Sequence, residues 1–127
     1  MAWQADVTSA TYHNNCAAER SQAESAMKLA GVANPEIHQG WFQTTVPQFA
    51  RDAAPIALLR LDGDWYESTM TCLEHLFPLV VSGGVVIVDD YGTWDGCSRA
   101  VHRYLADNDR PESILRTPAN VAYLVKR

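Results

Sequence analysis

Three features are missing from this sequence, and each absence argues against a class of protein. No apolar run reaches the roughly 18 residues that a transmembrane helix needs. No basic tract is present and the formal net charge is −5, which disfavours binding to nucleic acid or to an anionic membrane. Residues Met1–Ala10 lack the charged-then-apolar layout of a secretory signal. We therefore expect no nucleic-acid partner and no membrane partner.

Cysteine is scarce as well. The three cysteines, Cys16, Cys72 and Cys97, are an odd number with no close pair, which argues against a disulfide framework and a zinc site. Free thiols are typical of a reducing compartment, so we expect a cytoplasmic protein. The 127 residues, 47% hydrophobic and 20% charged, are enough for one soluble domain spanning 1–127.

Three short elements are predicted in the N-terminal third of the chain. Apolar residues at helical spacing predict a helix over 15–30, with Gly31 as its stop. A short strand is predicted over 35–39. The segment 41–49, which contains Pro47, is predicted to be a loop or a short helix.

The remaining chain alternates between strands and helices. Two apolar runs, 56–61 and 85–88, show little polar alternation and are predicted as strands buried on both faces. Ser82–Gly84 is predicted as a turn, and helices are expected from near Glu67 to Phe77 and from an Asp95 cap to Leu105. A closing hairpin is expected over 112–116 and 121–125. This order predicts an α/β fold, a mostly parallel sheet with an antiparallel C-terminal hairpin and helices packed on it.

Both predicted inner strands end in acidic residues. Asp62 and Asp64 follow the first strand, and Asp89 and Asp90 follow the second. In an open parallel sheet, ligands bind at the carboxyl ends of the strands, so these four carboxylates are expected at one rim. Gathered carboxylates repel each other unless a cation or a reaction needs them. Oxygen ligands suit hard divalent ions, so we expect Mg²⁺ or a similar cation.

The same motifs carry a family resemblance. The segments Leu61–Thr69 (LDGDWYEST), Ser82–Gly84 (SGG) and Val88–Tyr91 (VDDY) closely resemble the macrocin-type O-methyltransferases, as does Gly40–Pro47 (GWFQTTVP). These enzymes depend on S-adenosylmethionine and magnesium, and they methylate sugar hydroxyls on natural products. The resemblance implies a Rossmann-like methyltransferase sheet.

Site residues follow from the resemblance by position. It implies that Asp62, Asp89 and Asp90 hold the metal and that Asp62 or Asp64 is the general base. A metal acidifies and orients a hydroxyl, and a neighbouring carboxylate then takes its proton. Alternatively, Asp64 only caps the helix that follows it.

Four further residues are weaker candidates. Tyr91 and Trp94 follow the second acid pair, where they would either line an acceptor pocket or pack within a loop. Asn14 and Asn15 resemble the family segment near the cofactor.

An Asp-x-Asp motif also occurs in haloacid-dehalogenase-type phosphatases, but these carry Thr or Val at the position of Tyr66.

The cofactor-binding half of the family pattern is not found. None of the seven glycines forms a Gly-x-Gly-x-x-Gly loop, so the chain resembles a C-terminal portion without the S-adenosylmethionine-binding unit. Two alternatives follow: an O-methyltransferase-like protein acting on a small-molecule hydroxyl, or a catalytically silent remnant that folds, self-associates and at most binds metal. Either Glu36–Gln39 pairs with the Ile56–Leu61 strand, or that apolar edge recruits a second copy. We expect a homodimer or larger oligomer.

Overall fold

The computed structural model describes residues 18–127, so the predicted Asn14 and Asn15 lie outside the described residues. The chain divides into two compact units, and the boundary in the sequence falls between Gly40 and Trp41. In the first, helix α1 (Arg20–Leu29) begins after Glu19, whose backbone N–H donates to Gln22 Oε1 at 2.9 Å. Because this cap fixes the start of the helix, residues 18 and 19 are not helical, and positions 15–17 of the predicted helix lie outside the described residues.

The second unit contains the sheet. Its elements, in chain order, are α2 (Phe42–Ala50), β1 (Ile56–Leu61), α3 (Tyr66–Leu76), β2 (Val80–Val88), α4 (Asp95–Asp107), β3 (Leu115–Arg116) and β4 (Ala122–Val125). The strand order is β1-β2-β4-β3, with β1 parallel to β2 and with β4 antiparallel to both β2 and β3. The predicted α/β fold with a C-terminal antiparallel hairpin is confirmed. No helix among the described residues is long and apolar enough to span a membrane.

The core lies between one face of this sheet and the helices α3 and α4. Leu59 of β1 and Val86 of β2 are buried in one cluster with Leu73 of α3 and Val101 of α4. Both predicted helices are confirmed, and each presents buried residues at helical spacing to the core, among them Leu73 and Leu76 of α3 and Ala100 and Val101 of α4. Trp94, rather than Asp95, is the N-cap residue of α4, so the predicted Asp95 cap is wrong.

The opposite face of the sheet carries apolar side chains that are only partly covered. Leu58 is 62% exposed and Arg60 is also exposed, whereas Leu59 and Leu61 are buried. The prediction that β1 is buried on both faces is therefore wrong. In the described part of the chain, the helices α3 and α4 pack on the Leu59 face, and β1 is an edge strand of the sheet.

Two predicted short elements also differ from the structure. Residues 35–39 form no strand, so the predicted short strand is wrong and the alternative in which it pairs with Ile56–Leu61 loses its basis. Gly83 and Gly84 lie within β2 rather than in a turn. Gly83 has a φ of +79°, and the β1–β2 register shifts between Ile56 and Leu58, which indicates a bulge that glycine permits.

Candidate metal-binding and catalytic rim

The two acidic loops are adjacent because β1 and β2 run in parallel and in register. Leu61 is paired with Val88, so Asp62 and Asp89 each follow a member of the same residue pair. The loop after β1 leads into α3, whose N-cap residue is Trp65. The chain after β2 forms a short 3₁₀ turn over Asp89–Gly92. Both acid pairs therefore lie at the carboxyl ends of neighbouring parallel strands.

A buried threonine fixes the first acidic loop. The hydroxyl of Thr69 on α3 donates to the carbonyl oxygen of Gly63 at 2.8 Å. Thr69 is only 1% exposed, so this hydrogen bond is shielded from water. The loop that carries Asp62 and Asp64 is thus tied to the first turn of α3.

An arginine links the two acidic segments. Arg60 Nη2 is 2.9 Å from Asp62 Oδ2 and 2.7 Å from Asp89 Oδ2. The pKa of Arg60 is raised, first by its hydrogen bond to Asp89 and then by the charges of Asp62 and Asp89. Sequence reasoning missed Arg60. The available signal was its spacing, since residues i and i+2 of a strand project from the same face.

Asp90 is the most perturbed carboxyl of the rim. Burial, followed by the charges of Asp64, Asp62 and Asp89, raises its pKa from 3.8 to about 6. Its Oδ2 atom is buried and has no hydrogen-bond partner. The four predicted acids are therefore close enough to repel one another, and one of their oxygens is unsatisfied.

The rim offers the oxygen ligands that a hard cation prefers, but its side chains are not arranged as a metal-binding group. All of its candidate ligands are carboxylate oxygens, and the orphaned Asp90 Oδ2 is an atom that a cation would satisfy. Within residues 18–127, however, no three acidic, histidine or cysteine side chains form a metal-ligating group. The guanidinium of Arg60 lies against Asp62 and Asp89 instead. The assignment of Asp62, Asp89 and Asp90 as ligands stays a prediction.

Tyr91 and Trp94 follow the second acid pair. The Tyr91 hydroxyl is 2.7 Å from His102 Nε2 on α4, and the guanidinium carbon of Arg116 lies 5.2 Å from the centre of the tyrosine ring. Trp94 is half-buried and packs against the core. The structure therefore gives both side chains packing roles, while their part in an acceptor pocket stays a prediction.

The arrangement of an acid-ended parallel pair with helices on the sheet is that of the Rossmann-like methyltransferases. The solved O-methyltransferase NovP superimposes with a TM-score of 0.76 at 31% identity, over 87% of this chain and 46% of that one. A sequence profile of the macrocin O-methyltransferase (TylF) family matches residues 2–126. The chain belongs to this family.

Two characterised relatives are also similar. An 8-demethyl-8-(2,3-dimethoxy-alpha-L-rhamnosyl)-tetracenomycin-C 4′-O-methyltransferase of Streptomyces olivaceus is 49% identical over 85 residues, 65% of this chain and 31% of that protein. Demethyldecarbamoylnovobiocin O-methyltransferase of Streptomyces niveus is 42% identical over 84 residues, 66% of this chain and 31% of that protein. The chain thus spans about a third of the length of these relatives.

Proposed function

We propose that this chain carries the metal-binding and proton-accepting part of an O-methyltransferase site that acts on a hydroxyl of a sugar or another small molecule. The observation that carries the proposal is the convergence of Asp62, Asp64, Asp89 and Asp90 at adjacent strand ends, together with the unsatisfied Asp90 oxygen. The relatives support the reaction class, because both are named as O-methyltransferases and one of them is named for a rhamnosyl compound.

Each rim residue has a role in this proposal. Asp62, Asp89 and Asp90 would hold Mg²⁺ or another hard divalent cation, which when bound would acidify and orient the acceptor hydroxyl. A carboxylate oxygen of Asp62 or Asp64 takes the hydroxyl proton as general base. The Thr69–Gly63 hydrogen bond holds that loop in place, and restricting the reacting groups in this way supplies part of the rate enhancement. Tyr91 and Trp94 are our candidates for the acceptor side.

The methyl donor implied by the family is S-adenosylmethionine. The sequence has no Gly-x-Gly-x-x-Gly loop to receive it. We assign none of the described residues to this cofactor and derive no step from it. The alternative, a silent remnant that binds at most a metal, is therefore kept as an outcome of the test.

Self-association and location are further parts of the proposal. We place a homodimer or larger oligomer at the open β1 edge, because β1 has a neighbour on one side only among the described residues.

A reducing, cytoplasmic location is supported by Cys72 and Cys97, which are both buried free thiols.

Isothermal titration with MgCl₂ and, separately, with S-adenosylmethionine tests the proposed function. We expect Mg²⁺ to bind the wild-type chain, and we expect Asp62→Asn and Asp89→Asn to weaken it at least about tenfold, since each removes a charged ligand. Asp107→Asn is the matched control, because this exposed carboxylate pairs with Arg103 on α4.

The two titrations separate the alternatives. Micromolar binding of S-adenosylmethionine in addition to the metal supports the enzyme, whereas metal binding alone supports the remnant. Equal binding of Mg²⁺ by Asp62→Asn and the wild type overturns the metal site. Absence of Mg²⁺ binding overturns it as well if the Arg60→Gln variant, which lacks the neighbouring positive charge, also fails to bind.

A further inference from the structure

Arg60 places one guanidinium between carboxylates that belong to two different strands. It lies on β1 and is paired in register with Ile87 of β2, on the sheet face opposite the core. Its Nη2 atom contacts both Asp62 Oδ2 and Asp89 Oδ2, at 2.9 and 2.7 Å. One nitrogen therefore neutralises parts of both acidic segments at once.

The contacted oxygens belong to two of the three residues that the proposed function assigns to the metal. A carboxylate oxygen that accepts a short hydrogen bond from a cation has less capacity left for a second cation. The two positive charges would also repel each other if both lay against the same carboxylates. Occupation of Asp62 and Asp89 by Arg60 and by a divalent ion is therefore mutually unfavourable.

We propose that Arg60 is a built-in counter-ion that offsets the negative charges of Asp62 and Asp89 in the metal-free protein and must leave them before a divalent cation binds. This inference rests on the proposed metal site. It names a competitor within the chain for that site and makes Arg60 a residue that sets the metal affinity.

Arg60 has to move rather than lose its charge. The hydrogen bond to Asp89 and the neighbouring carboxylate charges raise the pKa of its guanidinium above an ordinary value that is already very high, so it stays protonated at any usable pH. Movement is sterically feasible because the side chain is 54% exposed. The same exposure limits its value as an organiser of the ligands, since exposed ion pairs contribute little to order. Competition is therefore expected to outweigh preorganisation.

Isothermal titration of MgCl₂ and MnCl₂ into four forms of the chain tests the inference. We expect Arg60→Gln to bind both cations about tenfold more tightly than the wild type, because the competing charge is gone. Arg60→Lys keeps the charge without the forked geometry and should lie between the two. Arg103→Gln removes an equal charge from an exposed pair on α4 and should bind within about twofold of the wild type.

A melting experiment provides a second readout. In EDTA, Arg60→Gln should melt below the wild type, because the four acids lose their counter-ion, whereas added Mg²⁺ should raise its melting temperature by more than that of the wild type. If Arg60→Gln does not fold, Arg60→Lys still tests the inference, because it keeps the positive charge but not the forked geometry.

Each outcome decides between the two proposals. Tighter binding by Arg60→Gln, or binding by this variant alone, supports the inference. If the wild type binds the cation as tightly as Arg60→Gln does, or more tightly, the inference is overturned and the proposed metal site stands. Absence of binding in all four forms overturns both.

Discussion

Asp90 shows at the scale of a single residue what a crowded acidic rim costs. Burial is the largest cause of its pKa of about 6, and the charges of Asp64, Asp62 and Asp89 add to it. The folded, metal-free protein therefore binds a proton at Asp90 more tightly than the unfolded chain does. Protonation of Asp90 therefore stabilises the folded protein at low pH, and this stabilisation is lost as the pH rises through about 6.

Asp90→Asn should remove this pH dependence. Near pH 4 the carboxyl is largely neutral in the folded protein, so the variant and wild type should unfold at similar urea concentrations. Near pH 7.5 in EDTA the variant should be more stable by about 1 kcal/mol, a value that allows for solvent screening at a partly exposed rim.

Urea denaturation at both pH values makes the measurement. Asp52→Asn, at an exposed position after α2, is the control and should show no comparable gain at the higher pH. A variant of Asp90 that is equal to or less stable than the wild type near pH 7.5 would contradict the repulsion described for the rim.

At the scale of elements, Gly84 lies where the β2 bulge is crowded by its own chain and by β1. A Cβ atom at Gly84 would lie 2.7 Å from Val80 Cγ1, 2.8 Å from the Val81 carbonyl oxygen and 3.1 Å from the Ala57 carbonyl oxygen. Two of these neighbours are backbone atoms, which cannot turn away as a flexible side chain can. The bulge in β2 therefore depends on the missing side chain.

Gly84→Ala should lower the free energy of unfolding by about 2 kcal/mol, because the backbone of the β2 bulge, and to a lesser extent that of β1, must shift to accept the methyl group. Gly92→Ala is the matched control: an added Cβ there would have its nearest contact, Arg116 Nη1, at an ordinary 3.6 Å. Urea denaturation monitored by tryptophan fluorescence compares the two. Equal stability of the two variants would show that the strands adapt without cost.

The elements differ in how well sequence patterns predict them. Helices α3 and α4 were predictable because each carries a full apolar stripe that the core buries. The 35–39 strand failed because a strand needs a pairing partner, which a local pattern does not supply. The Ser82–Gly84 turn failed because glycine signals a turn and a bulge equally well.

At the scale of the whole molecule, the sheet face opposite α3 and α4 exposes apolar side chains. Leu58 is 62% exposed, and it is in register with Val85 and, through β2, with Val125, which is 39% exposed. Apolar surface next to an unpaired strand edge favours association. This is the structural basis for the proposed oligomer.

Leu58→Asp should convert the proposed dimer to a monomer. Sedimentation velocity at tens of micromolar should show the wild type above monomer mass and the variant at monomer mass, because a charge on the covered surface would be desolvated. Leu29→Asp, on α1 and 90% exposed, is the control and should sediment like the wild type. A strictly monomeric wild type would refute the association.

The sequence by itself determined the family, the order of the main strands and helices, and the acids that follow β1 and β2, because these depend on local patterns. Only the tertiary structure decided which face of β1 is buried, since coverage depends on where α3 and α4 pack. It also decided that Arg60 lies between Asp62 and Asp89 and that an oxygen of Asp90 is left unsatisfied. Such contacts join side chains from separate strands, and their geometry is set by the register of the sheet.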